Sequence, residues 1–189
     1  MDGRQERAKT PVSAALAGPY GHPFHPILVT IPIGAWVCSL AFDLAARLGP
    51  HPAEAGFAAL WLVALGVVGA VAAASIGFLD LLAIPPQTRA RRTAVIHATL
   101  NLAVTSAYTI NFIWRYAGGD TGRPVGWGPV VLSVVSLIGL TASGYLGGKL
   151  AYRYGVRVAA ETIQADGFEP QAASLRSGRI DLSADTHGD

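Results

Sequence analysis

The stretch Gly77-Phe78-Leu79-Asp80-Leu81-Leu82-Ala83-Ile84-Pro85-Pro86 decides how the chain is read. After it come Arg89, Arg91 and Arg92, then Ala94-Val95-Ile96-His97, with Asn101 a turn further on. Two long apolar runs meet here across a short basic turn, and each carries an ionisable side chain just inside its end. Asp80 lies about five residues before the turn and His97 about five after it. At roughly 1.5 Å rise per residue, two antiparallel helices would hold both at one depth, roughly 7 Å inside their ends. An acid and an imidazole in such apolar surroundings need each other or a third group. The expectation is a membrane hairpin with a polar layer in which Asp80, His97 and His25 meet.

Composition agrees. Of 189 residues, 51% are hydrophobic and 14% charged, against roughly 25% charged in soluble domains. The mean hydropathy is +0.40. The single cysteine, Cys38, excludes an internal disulfide, a CxxC redox pair and a cysteine-ligated zinc or iron–sulfur centre. A net charge of +2 is too small to imply nucleic acid, and the basic residues sit in small groups beside the apolar runs.

Four spans are expected, at 25–48, 55–84, 93–117 and 126–152, giving an all-α four-helix transmembrane bundle with short loops. A polar segment, 1–20, precedes this membrane domain of 21–157. The run after it is too long for a removable signal peptide and reads as a retained anchor. Residues 158–189 lack sustained apolar periodicity and are expected to form a disordered cytoplasmic tail. Pro26 suits a first helical turn, whereas Pro32 inside the first span should kink it. Small residues recur every four positions: Ala35 and Ser39 leading to Asp43; Gly69, Ala73 and Gly77; Gly66, Ala70 and Ala74; Gly139, Ser143 and Gly147. Such stripes let helix backbones approach closely in lipid. His97, Asn101, Thr105 and Tyr108 make one polar stripe on the third span.

Flanking charges set the orientation. Arg4, Arg7 and Lys9, the turn arginines, and Lys149, Arg153 and Arg157 fall on one side; Arg47, Arg115 and Arg123 fall on the other. Both termini are therefore expected in the cytoplasm of a bacterial inner-membrane protein. The histidine layer then lies near the cytoplasmic face, and Asp43 lies nearer the outer one, without an evident ionisable relay partner at mid-depth.

The opening His22-Pro23-Phe24-His25-Pro26-Ile27-Leu28-Val29-Thr30-Ile31-Pro32-Ile33-Gly34 resembles that of bacterial predicted membrane proteins grouped as domain of unknown function 2231. Those proteins share an HP-x-HP-x-L-V-x-x-P-I opening, an Asp ending the first helix, a G-x-x-D-x-L element and a later His. Here the counterparts are the quoted opening, Asp43, Gly77 to Leu81, and His97, over about 21–152. Thr30 stands where many members carry a second His. Some members resemble fusions with Rieske-type iron–sulfur domains, which implies electron transfer as the activity to test.

Three functional classes remain open. His25 and His97 would serve as axial ligands of haem b between the first and third spans. Alternatively, His22, His25, Asp80 and His97 would hold a transition metal. A proton or ion path would run between Asp43 and the Asp80–His97 pair. Against all of these stands a structural role, since interhelical hydrogen bonds in membranes are common and contribute about 0.6 kcal/mol each. Asp43, Asn101 and Tyr108 complete the set of intramembrane polar candidates. The lipid bilayer is the one partner the composition demands; a redox partner or a second copy of the chain is compatible with it. No nucleophile elbow, P-loop or zinc-protease motif is present, which argues against an ordinary hydrolase or NTPase.

Overall fold

The computed structural model describes residues 3–11, 23–119 and 124–166. Among these the chain is all-α, with no strand. The helices are α1 (Gly3–Lys9), α2 (Phe24–Leu28), α3 (Thr30–Leu48), α4 (Pro52–Ala83), α5 (Arg89–Ala117) and α6 (Trp127–Gly148). A π-helical turn at Lys149–Arg153 continues α6, and α7 is Glu161–Asp166. Contacts divide the chain into Met1–Arg157 and Val158–Asp189, and the helix described in the second unit is α7. The expected tail lies outside the described residues from position 167 onward, as does His22.

Three segments among the described residues are long and apolar enough to cross a membrane: Phe24–Leu48, Pro52–Ala83 and Trp127–Arg153. The expected span at 93–117 falls inside α5. That helix has 29 residues, ample for a bilayer that needs about 20. It also carries three arginines at its start and His97, Asn101, Asn111 and Arg115 along its length, so it lacks the apolar character of the other three. Large apolar side chains face outward around the helices, among them Val68 on α4, Leu102 and Ile113 on α5 and Ile138 on α6. So much exposed apolar surface suits lipid rather than water.

Proline shapes the first segment as its position implies. Pro32 has no N–H to return to the carbonyl four residues earlier, and the helix is interrupted there, between Leu28 and Thr30. Beside this break the hydroxyl of Thr30 donates to the Ile27 carbonyl at 2.7 Å. At the basic turn, Thr88 caps α5 by accepting from the Arg91 N–H at 3.0 Å. Arg91 in turn donates to the carbonyls of Leu81 and Ile84. A cation on the last carbonyls of α4 answers the negative end of its dipole.

The small-residue stripes are where the helices touch. On α4, a Cβ at Gly66 would lie 2.2 Å from the Trp36 Nε1, and one at Gly69 would lie 2.6 Å from Ile31. Only glycine lets α3 lie this close. The indole that Gly66 admits belongs to the main core of Trp36, Val63, Val104 and Tyr108. Its ring stacks on Tyr108 with centroids 4.1 Å apart and planes 7° apart. A second cluster, Ile84, Ala94 and Leu150, closes the bundle at the α4–α5 turn.

Candidate functional site

Two polar layers sit at opposite ends of the bundle. At the end away from the α4–α5 turn, Asp43 on α3 and Arg115 on α5 form a fork-to-fork ion pair. Nη1 donates to Oδ1 at 2.7 Å and Nη2 to Oδ2 at 2.8 Å, with the side chains 1% and 3% exposed. Arg115 Nε donates to Asn111 Oδ1 at 2.6 Å, and Nη2 also reaches Ser133 Oγ at 3.3 Å. Asn111 donates to the same hydroxyl and to the Pro129 carbonyl, both at 2.9 Å. Tyr108, one turn along α5, donates to the Ser133 carbonyl at 3.3 Å. Helices α3, α5 and α6 are thus joined through one guanidinium whose donors are all turned inward. Asp43 has the ionisable partner that the sequence pattern had not supplied. The signal was available: Tyr108, Asn111 and Arg115 extend the polar stripe of α5 at three- and four-residue spacing.

At the turn end lie the sequence candidates His25, Asp80, His97 and Asn101. His25, in α2, reaches across to α4, its Nδ1 lying 2.9 Å from the Ala73 carbonyl. Its ring edge rests on Gly77, where a Cβ would stand 2.8 Å from Cε1. His97, on α5, repeats the arrangement against α6. Its Nδ1 is 2.9 Å from the Ser143 carbonyl, with the Ser143 hydroxyl at 3.0 Å. A Cβ at Gly147 would stand 3.2 Å from its Cε1. A carbonyl only accepts, so in both rings Nδ1 carries a proton. In His97, Nε2 accepts from Asn101 Nδ2 at 3.0 Å. The two rings lie near one another, centroids 6.4 Å apart and planes at 83°.

Asp80 is at the same end, but its carboxylate meets Arg157 Nε at 2.9 Å. The acid–imidazole contact expected from matched depth is therefore replaced by an ion pair, and His97 takes Ser143 and Asn101 instead. Depth fixed the level of the two groups and left open the side of the helix each faces. Arg157 arrives because the chain turns back after α6 through the π-helical turn and two left-handed residues, Gly155 at φ 66° and Arg157 at φ 58°. Its N–H donates to the Ala8 carbonyl at 2.9 Å.

For the four-residue metal set, His22 lies outside the described residues and Asp80 is engaged by Arg157. Among the described residues no three His, Cys, Asp or Glu side chains gather as a metal ion would require.

A family model described as a predicted membrane protein, DUF2231, matches residues 21–160. No curated protein and no solved structure gives a match.

Proposed function

The chain belongs to the DUF2231 family of predicted membrane proteins, and on that premise we propose that it spans a bacterial inner membrane four times and holds haem b between His25 and His97 for electron transfer. Two features support α5 as the fourth span. It packs against both α4 and α6, and the buried cation near its end, Arg115, is paired with Asp43. The penalty of roughly 2.5–3.5 kcal/mol applies to a charge at the centre of a span; near the end of one it is smaller, and pairing lowers it further. The basic residues of the α4–α5 turn support a cytoplasmic position for both termini.

The observation that carries the cofactor reading is the histidine pair itself. Both rings are anchored through Nδ1 on main-chain carbonyls, as the ligating histidines of metal sites are. The two rings lie with centroids 6.4 Å apart and planes at 83°, with glycine at each ring edge. His25 and His97 would hold the haem, which would supply one-electron chemistry; the chain's part is to fix both tautomers and hold the rings opposed in an apolar setting.

A second reading is favoured by one contact. Asn101 Nδ2 lies on His97 Nε2, the atom a metal would need, and a layer that only locks helix register would satisfy its histidine in this way. Optical spectra and iron analysis of gently purified protein separate the two. Haem predicts a Soret band and iron near one equivalent, both lost in His97→Ala. Wild-type protein without a Soret band would overturn the haem reading and leave the register lock.

A further inference from the structure

We infer that the open side of α6 and the basic edge beyond it form a seat for an anionic phospholipid, its acyl chain lying along the helix and its phosphate meeting Arg153, with Arg89 and Arg92 of α5 adding to the positive field. The inference rests on α6 as a span and is independent of the haem reading.

The apolar part is an open groove of about 580 Å³ lined by Ile138, Thr141, Ala142, Tyr145 and Leu146. All five belong to α6 and recur at three- and four-residue spacing, so they share one face. Among the described residues no neighbouring helix covers it. Ile138 is 66% exposed and Tyr145 74%, and a Cβ at Gly144 would meet nothing within 4 Å. The segment Trp127–Arg153 is long and apolar enough to cross a membrane, so this face meets lipid chains. Tyr152 follows Tyr145 by seven residues, two turns on, and is 93% exposed. Tyrosine at such a place keeps its ring among the chains and its hydroxyl at headgroup level. Arg153 lies about 12 Å beyond Tyr145 at 1.5 Å per residue. With Arg153 among the headgroups, a layer about 5–7 Å thick on each side, the groove falls within the hydrocarbon.

The cations at this edge are not all engaged by the protein. The Arg91 guanidinium donates to the Leu81 and Ile84 carbonyls, and that of Arg157 meets Asp80. Arg89, Arg92 and Arg153 are exposed, and among the described residues no ion pair or side-chain hydrogen bond takes them. Arg89 and Arg92 stand in the first turn of α5, where the positive end of the helix dipole disfavours a cation. A phosphate offsets dipole and arginines together. Ala90 and Ala94 of α5 pack in one cluster with Leu150 and Tyr154, so the start of α5 and the end of α6 meet at this edge. Charge complementarity selects the occupant. A second copy inserted the same way round would bring like charges together about the two-fold axis, and a zwitterionic lipid would leave them uncompensated.

The test is native mass spectrometry of the full-length protein in neutral mild detergent, titrated with phosphatidylglycerol or with phosphatidylcholine of the same chains. Phosphatidylglycerol should bind more tightly. The preference should fall about fivefold in Arg153→Gln and roughly 100-fold in Arg89→Gln/Arg92→Gln/Arg153→Gln, each surface cation making its usual contribution. Arg153→Lys keeps the charge and should keep the preference, which separates loss of charge from loss of fold. Ala142→Phe fills the groove and should weaken both lipids, whereas Arg7→Gln, on α1, should change little. Equal binding of the two lipids, or equal losses in Arg7→Gln and Arg153→Gln, would overturn the seat and leave only a general surface field. A dimer that Ala142→Phe dissolves would make the face an interface between copies and overturn it as well. Failure of α6 as a span is read separately, from reporters at Gly119 and Ala173 falling on a common side.

Discussion

The ion pair of Asp43 and Arg115 yields the sharpest prediction because its two ends differ in reach. Replacing Arg115 with Met strands a carboxylate. Asp43 lies five residues before the end of α3 at Leu48, about 7 Å below that end, and its short side chain cannot reach the interface. Asn111 Oδ1 and Ser133 Oγ each lose a donor as well. Breaking a buried pair in this way destabilises by about 3–5 kcal/mol. Asp43→Asn is milder. The amide oxygen still accepts one hydrogen bond, and Arg115 sits two residues from the end of α5 at Ala117, about 3 Å inside it. A long side chain released there can extend to the interface. The expected loss is about 1.5–3 kcal/mol, the scale of one hydrogen bond to a charged group.

The double variant Asp43→Asn/Arg115→Met has no stranded charge. It should be more stable than Arg115→Met alone by about 1–3 kcal/mol, so that the second substitution rescues the first. Unfolding in mild detergent by graded SDS, followed by far-UV circular dichroism, measures all four corners of the cycle. Two results would refute the reasoning: Asp43→Asn at least as damaging as Arg115→Met, or a double variant no more stable than Arg115→Met. Either would mean that the carboxylate is reached by water, contrary to its 1% exposure.

Further tests address other parts of the molecule. Gly66→Ala drives a methyl into the Trp36 indole and should unstack Trp36 from Tyr108, losing near-UV circular dichroism and about 1–3 kcal/mol of stability as overpacking does; unchanged spectra would contradict the close approach. Gly77→Ala should disturb its histidine more than Gly147→Ala, since the added carbon would lie 2.8 Å from His25 against 3.2 Å from His97. The line widths of the imidazole NMR signals report which ring moves. Reporter fusions at Gly119 and Ala173 should fall on opposite sides of the membrane; a common side would remove α6 as a span.

Much of this architecture is legible in the sequence because lipid imposes simple rules. Apolar length marked the helices, Pro32 marked the interruption after Leu28, and four-residue glycine and alanine stripes marked the contacts now seen at Gly66, Gly69, Gly77 and Gly147. Matched depth pairs Asp80 with His97 and adds His25; the His25 and His97 rings lie 6.4 Å apart, whereas Asp80 meets Arg157. Two things escaped. Arg115 was counted as a flanking charge, since charge counting takes no account of direction and its side chain turns inward to Asp43. Arg157 was treated in the same way, because a π-helical turn and a left-handed arginine have no periodicity to betray them. Depth along a helix is set by residue count, which a sequence contains. Partner choice at a given depth is set by rotation and by loop paths, which it specifies only through the finished fold.

The two polar layers also divide the work between them. In the layer away from the α4–α5 turn, Nε, Nη1 and Nη2 of Arg115 all bond acceptors contributed by α3, α5 and α6, and the carboxylate receives the matching fork. A closed network of this kind fixes register and leaves no group to address a ligand. The turn-end layer is built otherwise. Its imidazoles use one nitrogen each to grip a carbonyl of the neighbouring helix. That leaves the second nitrogen of each ring for another partner, which for His97 is Asn101. Chemistry, where this bundle performs it, belongs to the layer that keeps donor atoms in reserve. Asn101→Ala tests that division directly. It removes the contact on His97 Nε2 while keeping both Nδ1 anchors, so haem binding should persist or strengthen in it, whereas a register lock should lose stability with nothing gained.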